Sequence, residues 1–443
     1  MSQEPSVSRP LAVPSGRLSR VSRLGTMTAG IAGNMAVNGL AQLVQGQRPA
    51  MRDLLVTPQN ITRITEKLAQ MRGAAMKIGQ LVSMDTGEFL PPEMAQIMAR
   101  LRDDAHIMPP SQLKQVLNAN WPDKWLSHFA KFDVRPIAAA SIGQVHRARL
   151  KDGRDLAIKV QYPGVAKSID SDVANVGALI KMSGLLPKGF TLAPYLEEAR
   201  LQLHQETDYA LEGQHLHRFG TMLADVPEFT LPQYDPEWST PEILAMSYVE
   251  GVPIEQAFAQ PKEERCRIAH ALIELTLREL FDEGVMQTDP NFANYRYAPE
   301  TGQIILLDFG ATRVLDPKVV DQYRRLLAAG LRDDQQSTAA IAEEIGFVAP
   351  DTVPKHRAAI FEMMAMAFQA LRNDGPLDFT DRTLPRKMQA AGIALAEDGF
   401  VPPPLPIDVL LLQRKFGGMF LLASQLGAQV DLQGFLRRYA NSV

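Results

Sequence analysis

The sequence predicts an α+β fold: a helical N-terminal extension, then a sheet-rich first lobe and a helical second lobe. Three observations carry this. Apolar residues recur at helical spacing between Ile61 and Asp85. Two β-type runs, Ser141–Leu150 and Asp155–Gln161, flank the turn pair Asp152-Gly153. From Glu263 onward the pattern is helical, interrupted by one short strand at Gln303–Leu307.

Taken in order, residues 1–50 form a Pro/Gly/Ser-rich leader in which Arg9, Arg17, Arg20 and Arg23 stand against one acid, Glu4. The uncharged stretch Leu24–Gln47 that follows is long enough to span a bilayer, but Asn34, Asn38, Gln42 and Gln45 make it too polar for a span. It reads as a peripheral attachment to an anionic membrane surface, as a transit-like segment, or as a tail leading into a small-residue helix that packs on the protein. Residues 51–132 make the helical extension, with Ile64, Leu68, Met71, Ala75, Ile78, Leu81 and Val82 on one stripe and Pro91-Pro92 and Pro109-Pro110 as punctuation. Residues 133–250 form the first lobe. Its sheet is interrupted by helical patterns at Ile169–Leu185 and Tyr195–Leu223 before a further strand at Glu242–Tyr248. Residues 251–443 form the second lobe, and no internal repeat is visible.

Composition narrows the function. Lys and Arg total 46 against 50 Asp and Glu, a net charge of −4, so no basic excess exists to neutralise a nucleic-acid backbone. The single cysteine, Cys266, rules out an internal disulfide and a cysteine-based zinc site. His215 and His217 form the one close histidine pair, but two positions apart on a helix they face different ways and read as surface residues.

The chemistry concentrates in two motifs. Ile304-Ile305-Leu306-Leu307-Asp308-Phe309-Gly310 is an apolar strand ending in a carboxylate and a glycine. Nineteen residues before Asp308, Asp289 opens Asp289-Pro290-Asn291-Phe292-Ala293-Asn294. In a kinase catalytic loop, an Asp and an Asn five positions apart direct one carboxylate to the acceptor and one amide oxygen to a Mg²⁺ shared with the later Asp. Either motif alone is weak; together, in this order, they point to phosphoryl transfer. The first lobe adds Ala157-Ile158-Lys159, where a kinase lysine holds the α/β-phosphates. Upstream, Ala138-Ala139-Ala140-Ser141-Ile142-Gly143-Gln144-Val145 overlays the kinase G-x-G-x-x-G-x-V loop, with alanines at the first two glycine positions. Alanine restricts φ where glycine does not, which predicts a stiffer loop.

These residues, with Lys77-Ile78-Gly79-Gln80 on the N-terminal helix and Glu206-Thr207-Asp208-Tyr209 followed by Glu212, resemble the UbiB/ADCK atypical kinase family linked to ubiquinone (coenzyme Q) biosynthesis. The resemblance runs from about Leu54 to the C-terminus. It implies a protein-kinase-like two-lobe fold whose K-x-G-Q extension folds over the active site. Glu206 and Asp208 would receive Lys77 beside Gln80, and Glu212 would pair with Lys159, although the sequence alone leaves the partners of Glu206 and Glu212 exchangeable. It also implies a nucleotide site of Ala138, Ala139, Ala140, Ser141, Gly143, Val145 and Lys159. Met246 would be gatekeeper, and main-chain groups of Ser247 and Val249 would hold adenine.

The sequence departs from ordinary protein kinases at two places. Gln287-Thr288 replaces the His-Arg of the catalytic loop, and Asp316-Pro317 starts a helix soon after Gly310, with no A-P-E segment. The expected activity is an ATP-binding (or ADP-binding), Mg²⁺-dependent kinase or ATPase. Its metal ligands would be Asn294 and Asp308, Asp289 and Lys159 its catalytic residues, and a small-molecule or lipid-linked hydroxyl or water the acceptor. Expected partners are nucleotide, a quinone-precursor lipid, an anionic membrane surface and other quinone-biosynthesis proteins. The expected location is cytoplasmic and peripheral to the membrane, or the matrix side of the mitochondrial inner membrane. The rivals are a true protein kinase and a nucleotide-sensing scaffold without turnover.

Overall fold

The computed structural model describes residues 71, 73–79, 107–183 and 192–441. The arginine-rich leader, the Leu24–Gln47 stretch, Gln80 and most of the helical extension lie outside the described residues. The described residues fall into two compact units. One draws on Met1–Arg218 and Pro232–Tyr248, the other on Phe219–Leu231 and Val249–Val443.

The first unit is built on an antiparallel sheet. Strands β1 (Phe129–Phe132), β3 (Gly143–Leu150), β4 (Asp155–Gln161) and β5 (Ile243–Ser247) lie side by side in that order, and the short β2 (Ala138–Ala139) pairs with β3. The Asp-Gly turn forms where expected: Gly153 has a φ of +98°, a left-handed conformation that costs glycine nothing, and Asp152 Oδ1 accepts the Arg154 N–H at 3.0 Å. Along β3 the side chains alternate, with Gln144, His146, Ala148 and Leu150 on the buried face. The two polar members are satisfied there. Gln144 Oε1 accepts the Met108 N–H at 2.8 Å, Gln144 Nε2 donates to His146 Nε2, and His146 Nδ1 donates to the Asp133 carbonyl. Burial pushes the imidazole pKa down, outweighing the Asp133 contacts, so this histidine is a neutral core residue.

Behind the sheet, helix α1 (Pro110–Asn120) and the turn after it bring all three tryptophans of the chain together. The Trp121 ring lies 5.0 Å from Trp125 and 5.2 Å from Trp238, and stacks on Phe129 at 5.5 Å. This aromatic block supplies much of the core behind β3 and β4. Helix α2 (Val165–Ser183) follows. The helical run expected at Tyr195–Leu223 is two helices, α3 (Ala193–Glu206) and α4 (Tyr209–Met222), because Asp208 turns its carboxylate onto the Leu211 N–H at 3.0 Å and starts a new helix.

The second unit contains more strand than expected. Besides Gln303–Leu306, a four-stranded sheet includes Phe229–Thr230, Val252–Pro253 and Tyr295–Ala298, and a separate antiparallel pair joins Val285–Gln287 to Thr312–Val314. These pieces run two to four residues, too short for alternation to show in a sequence. Helix α5 (Lys262–Arg278) runs into a π turn at Glu279–Glu283 that Gly284 ends with a φ of +59°. After the strand pairs come α6 (Pro317–Leu331), α7 (Gln335–Ile345), α8 (Pro354–Arg372), α9 (Thr383–Glu397) and α10 (Ile407–Gln425). Asp316 caps α6 by accepting the Lys318 N–H, with proline at its first position. No helix among the described residues is long and apolar enough to cross a membrane.

Candidate functional site

In the first unit, Lys159 sits in the middle of β4, opposite Val145 on β3 and Leu244 on β5. This register carries its side chain to α4, where Nζ donates to both carboxylate oxygens of Glu212, at 2.7 and 2.9 Å. The pair is buried, with Lys159 at 8% and Glu212 at 3% exposure, and the ammonium lies 5.1 Å from the centre of the Tyr209 ring. Such a two-point, desolvated pair fixes the lysine where a flexible side chain would otherwise wander.

The alanine-rich segment is a tight hairpin. Ala138 pairs with Val145 and Ala139 with Gln144, and the Ala140 N–H donates to the Gly143 carbonyl at 2.8 Å, so Ser141 and Ile142 form the tip. Ile142 buries its side chain and accepts the Tyr162 N–H on its carbonyl. Gly143 is required by close approach: a Cβ there would lie 2.4 Å from the Val160 carbonyl oxygen. Ser141 Oγ donates to Glu206 Oε2 at 3.1 Å, and the same carboxylate is ion-paired with Lys77. Lys77 stands on a helical segment, 73–79, whose Ala75 and Ile78 are fully buried. No Lys77–Asp208 ion pair forms among the described residues; Asp208 is spent on capping α4. The gatekeeper position, Met246, is buried in β5. The Ser247 N–H donates to the Gln233 carbonyl at 2.8 Å, leaving the Ser247 carbonyl as its main-chain group for a ligand. Val249 follows where the chain enters the second unit.

In the second unit, the catalytic-loop motif hangs between short strands. Thr288 donates both N–H and hydroxyl to the Ala311 carbonyl, and the Leu307 N–H donates to the Asn294 carbonyl at 3.1 Å. That last bond sets Asn294 beside the end of the Gln303–Leu306 strand, one residue short of Asp308. Asn294 Nδ2 donates to both the carbonyl and Oδ2 of Asp289 at 3.1 Å. With its amide nitrogen committed, Asn294 keeps Oδ1 without a hydrogen bond among the described residues. Asp308 Oδ1 accepts the Gly310 N–H at 2.9 Å. Phe309 is buried against Phe219, ring centres 4.9 Å apart. A carboxylate and an amide oxygen are hard donors suited to Mg²⁺, which is bound by one or two carboxylates and completes its shell with waters and phosphate oxygens. The residues present fit that ion.

Sequence reasoning missed the residues that brace this loop from outside its motif. Arg414 and Lys415, successive on α10, both reach the catalytic loop: Arg414 Nη2 donates to Asp289 Oδ1, and Lys415 Nζ donates to Gln287 Oε1 at 3.3 Å and to Tyr295 Oη at 3.2 Å. Gln287 Nε2 in turn donates to the Asp289 carbonyl at 2.9 Å. Lys415 is 2% exposed and lies 3.6 Å from Glu279, itself 1% exposed, in the π turn. Burial pushes the Glu279 pKa up to about 7 despite Lys415, while Glu279 and Tyr295 outweigh the burial of Lys415 and hold its ammonium above its ordinary value. Asp408 completes the set, accepting from Arg313 Nε on one oxygen and the Asp316 N–H on the other. One signal was available: a cationic pair inside the apolar run Val409-Leu410-Leu411-Leu412-Gln413-Arg414-Lys415-Phe416.

A buried lysine–glutamate pair on an antiparallel sheet, an Asp…Asn loop and an Asp-Phe-Gly turn define a kinase-like protein. Residues 100–342 match the ABC1 atypical kinase-like domain. The mitochondrial atypical kinase COQ8 of Saccharomyces cerevisiae is 36% identical over 421 residues, covering 95% of this chain and 84% of the relative. Its namesake in Schizosaccharomyces pombe is 36% identical over 97% of this chain and 71% of the relative. The rat mitochondrial atypical kinase COQ8B is 33% identical over 96% and 80%. The chain therefore belongs to the ABC1 atypical kinase family, that of the COQ8 and UbiB/ADCK proteins. The Mycobacterium tuberculosis protein Rv3197, solved with erythromycin, shares the fold at a TM-score of 0.61 and 24% identity, over 86% of this chain and 97% of that one.

Proposed function

We propose that this chain is an ATP-binding, Mg²⁺-dependent kinase or ATPase that supports ubiquinone biosynthesis, acting on a small-molecule or lipid-linked hydroxyl or on water. The observation that carries the reading is the amide of Asn294, turned by Asp289 so that its oxygen is left for a cation beside the strand that ends at Asp308. In this reading Lys159, held by Glu212, takes the nucleotide phosphates and the Ala138–Val145 hairpin covers them. Main-chain groups of Ser247 and Val249 hold adenine behind Met246. Asn294 and Asp308 would hold Mg²⁺, which neutralises phosphate charge when bound. Asp289 orients the acceptor hydroxyl and takes its proton; positioning and charge supply most of the rate in such sites.

A small acceptor is favoured by the stretch after Gly310. Only six residues separate it from Pro317, and Arg313 and Asp316 are both tied to Asp408, so no peptide platform stands there. Lys77, Gln80, Glu206, Asp208 and Glu212 act as a family-specific regulatory group. The working division is a leader at 1–50, an extension at 51–132, a first lobe at 133–250 and a second at 251–443. The leader arginines suit an anionic membrane surface, and the mitochondrial names of the relatives favour the matrix side over a cytoplasmic membrane face. Other quinone-biosynthesis proteins and a quinone-precursor lipid are the partners expected.

The test pairs two measurements: Mg-ATP turnover by purified protein with and without lipid vesicles, and quinone profiles of a deletion strain complemented by wild type or by Asp308→Asn. Turnover abolished and quinone lost with Asp308→Asn support the reading. Full quinone rescue by the variant overturns it.

A further inference from the structure

From Gln287 to Asn294 the catalytic loop carries a single charge, Asp289, and no cation of its own. Its counter-charge comes from α10. The two adjacent cations of that helix differ in how they are used. Lys415 is sealed in, with Gln287, Tyr295 and Glu279 around its ammonium. Arg414 is not: its side chain is 16% exposed, and among the described residues Asp289 is its only hydrogen-bond or ion-pair partner.

A guanidinium has five N–H donors and stays charged at any working pH. One nitrogen engages Asp289 Oδ1, while Asp289 Oδ2 is already held by Asn294. Lys415 braces the same loop separately, through Gln287, whose amide donates to the Asp289 carbonyl. The donors of Arg414 that have no partner among the described residues belong to a guanidinium seated on the carboxylate that, on the reading above, handles the acceptor hydroxyl. In transfer, the bond between the γ-phosphorus and the β–γ bridging oxygen breaks and ADP keeps the electron pair. The acceptor oxygen forms the new P–O bond, and its proton passes to Asp289. Negative charge is then spread over three phosphoryl oxygens, the kind of group a guanidinium fork is built to meet.

We propose that Arg414 is a catalytic residue, resting on Asp289 between turnovers and bonding the phosphoryl group as it transfers. The proposal rests on the ATP-dependent reading and goes beyond it by supplying a charge that the catalytic loop lacks. Its signature is preference for the transferring phosphoryl over the ground state.

The experiment measures Mg-ADP affinity of the full chain with and without aluminium fluoride, a mimic of the phosphoryl in flight, and kcat for ATP. It compares wild type, Arg414→Lys and Arg414→Gln. The lysine variant keeps a cation on Asp289 and so protects folding, but loses the fork. The expected result is Mg-ADP binding within about threefold of wild type in both variants. The fluoride-dependent gain should be lost, and kcat should fall by about 10²-fold or more. Variants that keep the gain and a kcat within about threefold of wild type overturn the proposal. So do variants that no longer bind Mg-ADP while wild type does, since Arg414 would then be structural. Wild type that binds no Mg-ADP overturns the ATP reading itself, and the proposal with it.

Discussion

Ser141, at the tip of the alanine-rich hairpin, donates its hydroxyl to Glu206, the carboxylate that Lys77 also reaches. The N-terminal segment and the candidate phosphate loop therefore share one acid. The Glu206 side chain is 14% exposed and that of Lys77 8%, so removing the cation strands a poorly hydrated carboxylate. Lys77→Ala is expected to cost about 2–4 kcal/mol. It should also speed amide exchange in residues 138–143 more than in the β3–β4 core. Denaturant unfolding and hydrogen exchange measure both. Unchanged exchange in the hairpin would show that the shared acid does not restrain it.

Two substitutions in that hairpin should have opposite characters. Gly143→Ala drives a methyl to within 2.4 Å of the Val160 carbonyl and should destabilise by about 2–4 kcal/mol. Ala140→Gly keeps the N–H bond to Gly143 and should cost under about 1 kcal/mol while loosening the tip. If Ala140 touches phosphates, its replacement shifts the ratio of ATP to ADP affinity. Titration calorimetry with both nucleotides reads that ratio, and an unchanged ratio removes Ala140 from the site.

On the proposed reading, Asp308→Asn should abolish the thermal stabilisation given by Mg-ATP and Mg-ADP, because one of the two proposed metal ligands loses its charge. The ligand-free melting temperature should move little, since the Gly310 N–H still finds an oxygen at this position. A nucleotide shift as large as that of wild type would sink Asp308 as a metal ligand.

Glu279 makes stability depend on pH. Burial lifts its pKa from 4.5 to about 7 in the folded chain. As pH falls through 7 the folded protein takes up a proton that the unfolded chain does not bind until near 4.5, so this group favours folding progressively as pH drops across that window. It costs stability as pH rises, by at most about 1.4 kcal/mol per pH unit. Glu279→Gln should flatten the slope of unfolding free energy between about pH 5 and 7. An identical slope in the variant would mean that Lys415 keeps Glu279 ionised throughout.

Sequence patterns read the architecture where segments are long or turns are chemically marked. The β3–β4 pair and its Asp-Gly turn were legible because strands of eight and seven residues show alternation. The strands at Val285–Gln287 and Thr312–Val314 were not, since three residues carry no period. The Tyr195–Leu223 run read as one helix because its apolar spacing is continuous, while the break depends on one side chain, Asp208, turning back on its own backbone. Of the site, residues close together in a motif were legible as a group. Arg414 and Lys415 were not, because nothing local in a helix reveals which loop, over a hundred residues earlier, it will be packed beneath.

That long reach matters for how the protein is made. Gln287 and Lys415 are 128 positions apart, and Asp289 and Arg414 are 125. A chain emerging from the ribosome has displayed every motif from Ala138 to Gly310 while α10 is still unsynthesised. Until then the loop has neither its buried prop nor its counter-ion, and such distant closure is among the slow events of folding. Competence for phosphoryl transfer would therefore arrive late and all at once, only when α10 is out. A prematurely terminated product would carry the signature residues without a settled place to use them.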